Sequence, residues 1–267
     1  MEKYKKLQGM FRKYGKNIKS NSGRQIYYDG TNSKVNNERG TILGCKRIID
    51  QAKIYEIPEN VLLSVPHPEL FPYIETQCCT DSCSTASIRT RILLKYGKKI
   101  DEPSLWEMNS YRKVKRLRGN GLINDGLGPA EVAEVIKNVE NKFFKNEVKL
   151  FSTTNGTISQ LETYLANKEF PMIVRPWGYA PWEVGGLDTH YELVWAVDGE
   201  NVYLCNSENG ARNMGLHSFG HEDFLEWWAY GHEGLGKNKN THYERWYAVP
   251  VPKNDKLPKD FFKGKYL

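Results

Sequence analysis

Gln77-Cys-Cys-Thr-Asp-Ser-Cys83-Ser-Thr-Ala-Ser87, continuing as Ile88-Arg-Thr-Arg-Ile-Leu-Leu-Lys-Tyr-Gly97, is the segment around which the chain is best read. The turn formers Thr80, Asp81 and Ser82 lead straight into a run with helical spacing. Ala86, Ile92, Leu93 and Tyr96 can share one face, with Arg89, Arg91 and Lys95 elsewhere. Asp81 or Ser82 is placed to act as an N-cap, and Gly97, followed by Lys98 and Lys99, marks the stop. Cys83 therefore falls on the first turn of a helix. Unsatisfied backbone N–H groups and the positive end of the helix dipole lie there, and both favour a thiolate over a thiol. Gln77, six residues upstream, has a side-chain N–H able to meet a developing oxyanion.

A hairpin further on supplies partners for such a nucleophile. Thr189-His190-Tyr-Glu-Leu-Val-Trp-Ala-Val-Asp198-Gly199-Glu-Asn-Val-Tyr-Leu-Cys-Asn206 reads as two strands joined at Asp198-Gly199, a strong turn signal. The first strand begins at His190 and the second ends at Asn206. Folding the hairpin brings its open ends together, so a His and an Asn become neighbours at one end of a sheet. An Asn carbonyl there can hold an imidazole in one tautomer and orientation.

Gln77, Cys83 and Ala86-Ser87 resemble the nucleophile segment of the papain-like cysteine peptidases, and most closely the bacteriocin-processing-like or C39-like branch. The pattern of that branch is a Gln, a short loop, then Cys-Gly-x-Ala-Ser opening a helix that ends in Tyr-Gly. Here Ser84 stands where the Gly is usual. The Gly-rich loop ending at Gly128, followed by Pro129-Ala-Glu-Val-Ala, is similar to the next element of such chains. The resemblance covers about residues 70–210. It implies an α+β papain-like fold, with a helical part carrying the nucleophile helix packed on an antiparallel sheet. It implies a cysteine peptidase in which Cys83 attacks a carbonyl carbon and His190 exchanges the proton. Asn206 would orient His190, where much of the C39-like group has Asp and papain-type enzymes have Asn. Gln77 and the backbone N–H of Cys83 would form the oxyanion hole. The implied partner is a protein or peptide substrate, cut through a thioester. The same triad also serves deamidation or transglutamination. A non-enzymatic binding module on a degenerate peptidase scaffold is the reading from another class, since Ser84 and the surplus thiols depart from the pattern.

Composition restricts the other classes. In 267 residues, hydrophobic side chains make up 39% and charged ones 26%, enough for a packed core under an ordinary surface. A net charge of +6 is mildly basic and is not in itself a nucleic-acid signature, so no nucleic-acid partner is expected. The five cysteines, Cys45, Cys78, Cys79, Cys83 and Cys205, are odd in number and form no framework, which points to a reducing compartment. There is no CxxC pair. His217, His221, His232 and His242 lie in the last third with Glu222, Asp223 and Glu233, but without His-Glu-x-x-His spacing. Neither a metal nor a cofactor is expected. No apolar segment reads as a signal peptide or a membrane span, which suits a cytoplasmic protein or one exported or injected by another route. Lys/Asn richness suits a bacterial or phage protein, or an effector; oligomeric state is left open.

The chain divides into an N-terminal extension at residues 1–60, partly flexible, a catalytic domain at 61–252 and a tail at 253–267. Within the first forty residues, a short basic helix at the extreme N-terminus competes with disorder. Ile42 to Lys53 reads as a helix or strand, and Leu62 to Leu70 as an extended, Pro-bounded lead-in. Helices are expected over Pro103–Met108, from Pro129 onward, over Ile158–Ala166 and over Phe219–Trp228. Strands are expected at Val148–Phe151, Phe170–Arg175 and Tyr243–Val251. Tyr111–Arg118 is a basic run best read as a solvated helix face. The aromatic, Gly-rich loop Pro176–Asp188 could wall a groove. Asp198 is the rival to Asn206, though it sits at the far end of the strand. Cys78 and Cys79 are the rival nucleophiles, without a helix start. Asp188 could add negative charge near His190.

Overall fold

A computed structural model describes residues 3–18, 37–74, 77, 82–100, 104–105, 108, 115–116, 122–123, 127–153, 155–176, 189–207, 215–229 and 245–252. The helices are α1 (Lys5–Ile18), α2 (Asn37–Ile54), α3 (Glu59–Leu62), α4 (Cys83–Tyr96), α5 (Pro129–Phe144), α6 (Ile158–Ala166) and α7 (His221–Ala229). The strands are β1 (Lys115–Arg116), β2 (Leu122–Ile123), β3 (Val148–Thr153), β4 (Met172–Pro176), β5 (Thr189–Val197), β6 (Asn201–Asn206), β7 (Gly215–Gly220) and β8 (Tyr247–Pro252). Strands β3-β8-β4-β5-β6-β7 form one antiparallel sheet, in that order, and β1 and β2 pair separately. The fold is thus a mixed one, helices plus an antiparallel sheet.

The sheet is buried on both faces. Tyr191 and Leu193 of β5, Tyr203 and Cys205 of β6 and Leu216 of β7 join the main core with Ile88, Ile92 and Leu93 of α4 and Val132, Ile136 and Val139 of α5. The described part of residues 1–60 enters this same core through Tyr4, Leu7, Phe11, Ile48, Ile49 and Ala52. The Tyr4 hydroxyl lies 2.6 and 2.7 Å from the carbonyl oxygens of Ala52 and Ile57, which share its one hydrogen, tying the residue before α1 to the end of α2 and the turn beyond it. Period-two alternation sends Val194, Val202 and Leu204 to the other face, against Leu161 and Tyr164 of α6 and Phe224, Trp227 and Trp228 of α7. Each large side chain buried this way contributes about 1.5–3 kcal/mol. Close approach is needed where α6 begins. A Cβ on Gly156 would lie 2.3 Å from Trp228 Cη2 and 2.7 Å from the Arg245 carbonyl oxygen. Gly156→Ala is therefore expected to destabilise the protein by about 1–3 kcal/mol in urea unfolding, an overpacking cost with no bearing on site chemistry.

Several elements differ from the sequence expectation. Leu62–Leu70 is not extended. Its start closes α3, and Pro68–Tyr73 forms a 3-10 turn, which the fixed φ of Pro68 and Pro72 permits. Ile42–Lys53 is helical throughout, within α2. Phe219 lies in β7, opposite Val202, and the helix begins only at His221. Pairing with β6 claims the residues up to Gly220 before helical bonding can start. Lys115–Arg116 of the basic run pair with β2 in strand form, not helix. Among the described residues, no helix is long and apolar enough to cross a membrane. The tail 253–267, half of Pro103–Met108 and most of the Pro176–Asp188 loop lie outside the described residues.

Candidate functional site

Helix α4 starts at Cys83, with Ser82 at the N-cap. The Ser82 side chain makes no cap bond; the Ser82 carbonyl instead accepts from Thr85 Oγ1 at 2.9 Å. Gly97 closes the helix in the left-handed region, φ 65°, as its sequence position implies. Ser84 is inside the helix, where backbone angles are accessible to any residue, so the glycine of the related pattern is not required here. Most of this helix is interior, with Arg89, Lys95 and Tyr96 partly exposed. Cys83 to Ile88 and Thr90 to Leu94 are all buried. Arg91 has no exposed surface, because Glu140 of α5 and Glu169 meet its guanidinium at 2.5 and 3.0 Å. Only paired in this way can a guanidinium enter an interior.

The helix is registered on the sheet by two bonds. Ser87 Oγ donates to the Tyr191 carbonyl at 3.0 Å. Thr90 hydrogen-bonds the Cys205 thiol, and Cys205 is the cross-strand partner of Leu193. So α4 advances along β5 in the same direction as the strand. Running back one turn from Ser87 to Cys83 covers about 6 Å of helix axis, the length of about two strand residues. That carries the start of α4 toward the beginning of β5, over the face that presents Tyr191 and Leu193.

The open end of the β5–β6 hairpin is at the beginning of β5. His190 is completely buried, and its Nε2 is 2.8 Å from Asn206 Oδ1, which is itself 1% exposed. A carbonyl oxygen can only accept, so Nε2 carries the hydrogen and Nδ1 is the basic nitrogen of the neutral ring. Gln77 is held at this end too. Its backbone N–H donates to the Ser207 carbonyl at 2.8 Å, and its Oε1 accepts from Ser207 Oγ at 3.4 Å. With Oε1 engaged, Nε2 is the donor end of the amide. Three of the four residues singled out in the sequence thus gather at one end of the sheet: His190 and Asn206 in direct contact, and Gln77 bonded to Ser207, the residue after Asn206, while Cys83 opens the helix that packs along β5.

The rivals are placed otherwise. Asp198 is a turn residue: its Oδ1 accepts from the N–H groups of Glu200 and Asn201 at 3.0 and 2.8 Å, and Tyr203 donates to Oδ2. Burial opposes its charge, but the bond from Tyr203 and the two backbone bonds outweigh this and hold the carboxyl below the usual range. Cys83 and Cys205 are both reduced. Burial, with Glu192 adding to it, pushes the Cys205 thiol up to about 12, which makes it inert at neutral pH. Cys78, Cys79, Asp188, His232 and His242 lie outside the described residues. His221 opens α7, and its backbone N–H donates to the Glu200 carbonyl at 3.0 Å. Among the described residues, no group of three or more His, Cys, Asp or Glu side chains is arranged to hold a metal ion.

One residue near the site escaped the sequence reading. Glu192 is fully buried; its Oε2 is 2.7 Å from His217 Nε2 and its Oε1 is 3.9 Å from His190 Nε2. The signal was a lone acidic residue inside an otherwise apolar strand, two positions from His190 and therefore on the same face.

No family model matches the chain, and no curated protein matches it. The chain is similar to a crystal structure from Bacillus anthracis provisionally assigned as a C39-like peptidase, with 13% sequence identity and a TM-score of 0.43. The match covers 67% of this chain and 94% of that one.

Proposed function

We propose that this protein is a papain-like cysteine hydrolase that cleaves a peptide or related amide bond with Cys83, His190, Asn206 and Gln77. The observation that carries the reading is the buried bond between His190 Nε2 and Asn206 Oδ1, at the open end of the β5–β6 hairpin. It fixes the tautomer in which Nδ1 is the base, and a helix N-terminus is where a thiolate is best tolerated.

The chemistry follows. Nδ1 of His190 takes the proton from the Cys83 thiol, and Sγ attacks the carbonyl carbon. The oxyanion is met by the Gln77 amide and the Cys83 backbone N–H. The C–N bond then breaks, with His190 returning the proton to the leaving nitrogen, and a thioester remains. Water, deprotonated by His190, attacks the thioester and releases the acid and the thiol. An amine in place of water would give acyl transfer; a glutamine side chain as substrate would give deamidation.

The test is the rate of alkylation by iodoacetamide at pH 6, mapped to individual cysteines by peptide mass spectrometry. Cys83 is expected to react at least about tenfold faster than an ordinary thiol of pKa near 8.5, while Cys205 stays unmodified. His190→Ala should remove the excess rate at Cys83. Asn206→Ala, which leaves the ring but not its orientation, should lower turnover of any cleaved substrate by about 10- to 100-fold. A Cys83 of ordinary reactivity, indifferent to His190→Ala, would sink the proposal and leave the binding-module reading.

A further inference from the structure

In this reading Asn206 orients the imidazole but brings no charge to it. A negative group stands beside it nonetheless. Glu192 follows His190 by two positions on β5, and the two side chains share one face of the sheet. The carboxylate bridges two imidazoles, with Oε2 2.7 Å from His217 Nε2 and Oε1 3.9 Å from His190 Nε2. None of the three side chains is more than 1% exposed, so solvent does little to screen the charge.

We propose that Glu192 is a positioning residue whose carboxylate, anchored by His217, stabilises the imidazolium of His190 and so supplies the charge that Asn206 lacks. The inference rests on Cys83 and His190 being the reacting pair. The proton passes from Cys83 Sγ to His190 Nδ1, giving a thiolate and an imidazolium; Nε2–H stays on Asn206, and Glu192 neither takes nor gives a proton. His217 on β7 donates Nε2–H to Oε2, which turns Oε1 toward His190. The other described groups around this carboxylate come from β6 and from the α2 side. Burial, then Glu192, raises the Tyr55 hydroxyl, and Glu192 also acts on the Cys205 thiol, where Arg47 of α2 acts in the opposite sense. Tyr55 packs edge-on to His217, ring centroids 6.2 Å apart.

The experiment is the pH dependence of Cys83 alkylation in the full chain, again mapped by mass spectrometry. In the wild type the rate is expected to rise with formation of the ion pair and to change again at a higher ionisation, that of the imidazolium. An opposite charge within about 4–6 Å favours the charged form by about 1–3 units. Glu192→Gln is therefore expected to lower the upper ionisation by about one unit or more and to slow alkylation at pH 6.5 by about tenfold. Asn206→Asp in the Glu192→Gln background restores one carboxylate beside Nε2 and should bring the upper ionisation back to or above the wild-type value. A merely structural role for Glu192 would change stability without moving that ionisation. A folded Glu192→Gln protein with the upper ionisation within about 0.3 unit of wild type overturns the proposal. If the single variant does not fold, the double variant decides: an upper ionisation still about a unit low overturns it. A wild-type profile with one ionisation at an ordinary thiol value fails earlier, at the Cys83–His190 pair itself.

Discussion

Cys83→Ala is expected to abolish covalent labelling at position 83 and to reduce cleavage of any substrate by about a thousandfold or more, with folding intact. The size follows from what the residue would do. Without Sγ there is no acyl intermediate, and the remaining groups can only polarise a carbonyl for direct attack by water. Small residual catalysis is the norm when a nucleophile is removed from a working site. The side chain is small and 7% exposed, so the loss of packing costs little beside the chemical effect. The measurement is cleavage of a proteome-derived peptide library, wild type against variant, together with the alkylation map. Cleavage that survives in Cys83→Ala would transfer the role to Cys78 or Cys79, and loss of labelling there would show which. Product masses separate the outcomes: two fragments for hydrolysis, a gain of about one dalton for deamidation.

Arg91→Met is expected to carry the largest stability penalty in the protein, about 3–5 kcal/mol in urea unfolding. The guanidinium is 1% exposed and bonds Glu140 at 2.5 Å and Glu169 at 3.0 Å, while Lys95 bonds Glu169 as well. The Tyr96 hydroxyl and Asn146 Nδ2 donate to the second oxygen of Glu140 at 2.6 and 3.0 Å. Methionine fills the space but leaves Glu140 ionised in the interior without its cation. Removing both charges, in Arg91→Met with Glu140→Gln, should cost less than the single change, because the uncompensated carboxylate is gone. A penalty below about 1 kcal/mol for the single variant would show that water reaches the cluster. The same cluster gives the protein an acid limit. Burial disfavours ionised Glu140, but Arg91 foremost, then Lys95, Asn146 and Tyr96, outweigh this and hold its carboxyl below the usual range. The native state therefore binds that proton less readily than the unfolded chain. The stability so supplied is present above the unfolded value of about 4.3 and is lost as pH falls through the native one.

What could be read in advance depended on whether the signal was local. The helix at Cys83 and its stop at Gly97 follow from turn formers, spacing and a glycine, all within one short segment. The hairpin turn is equally local: Asp198-Gly199 sets it and so brings the two outer strand ends together, although a bulge between Val194 and Ala196 shifts the pairing by one residue. That is why His190 and Asn206 could be paired from sequence, sixteen positions apart, and are found 2.8 Å apart. The α6 helix was legible from its local apolar spacing, and the structure adds a capping box of Thr157 and Gln160 at its start. By contrast, Arg91 on a helix looks like a solvent residue unless Glu140 and Glu169, 49 and 78 positions away, are known to converge on it. Phe219 reads as helical until β6 is there to pair with it.

The sequence alone determined the α4 helix with its glycine stop and the hairpin that brings an imidazole to an amide, since each rests on contacts a few residues apart. Tertiary structure alone decided that α4 packs along β5, that an arginine could be buried in it, and that Glu192 stands between His190 and His217. These depend on desolvation and on charges from distant segments, which have no value until the chain has closed around them.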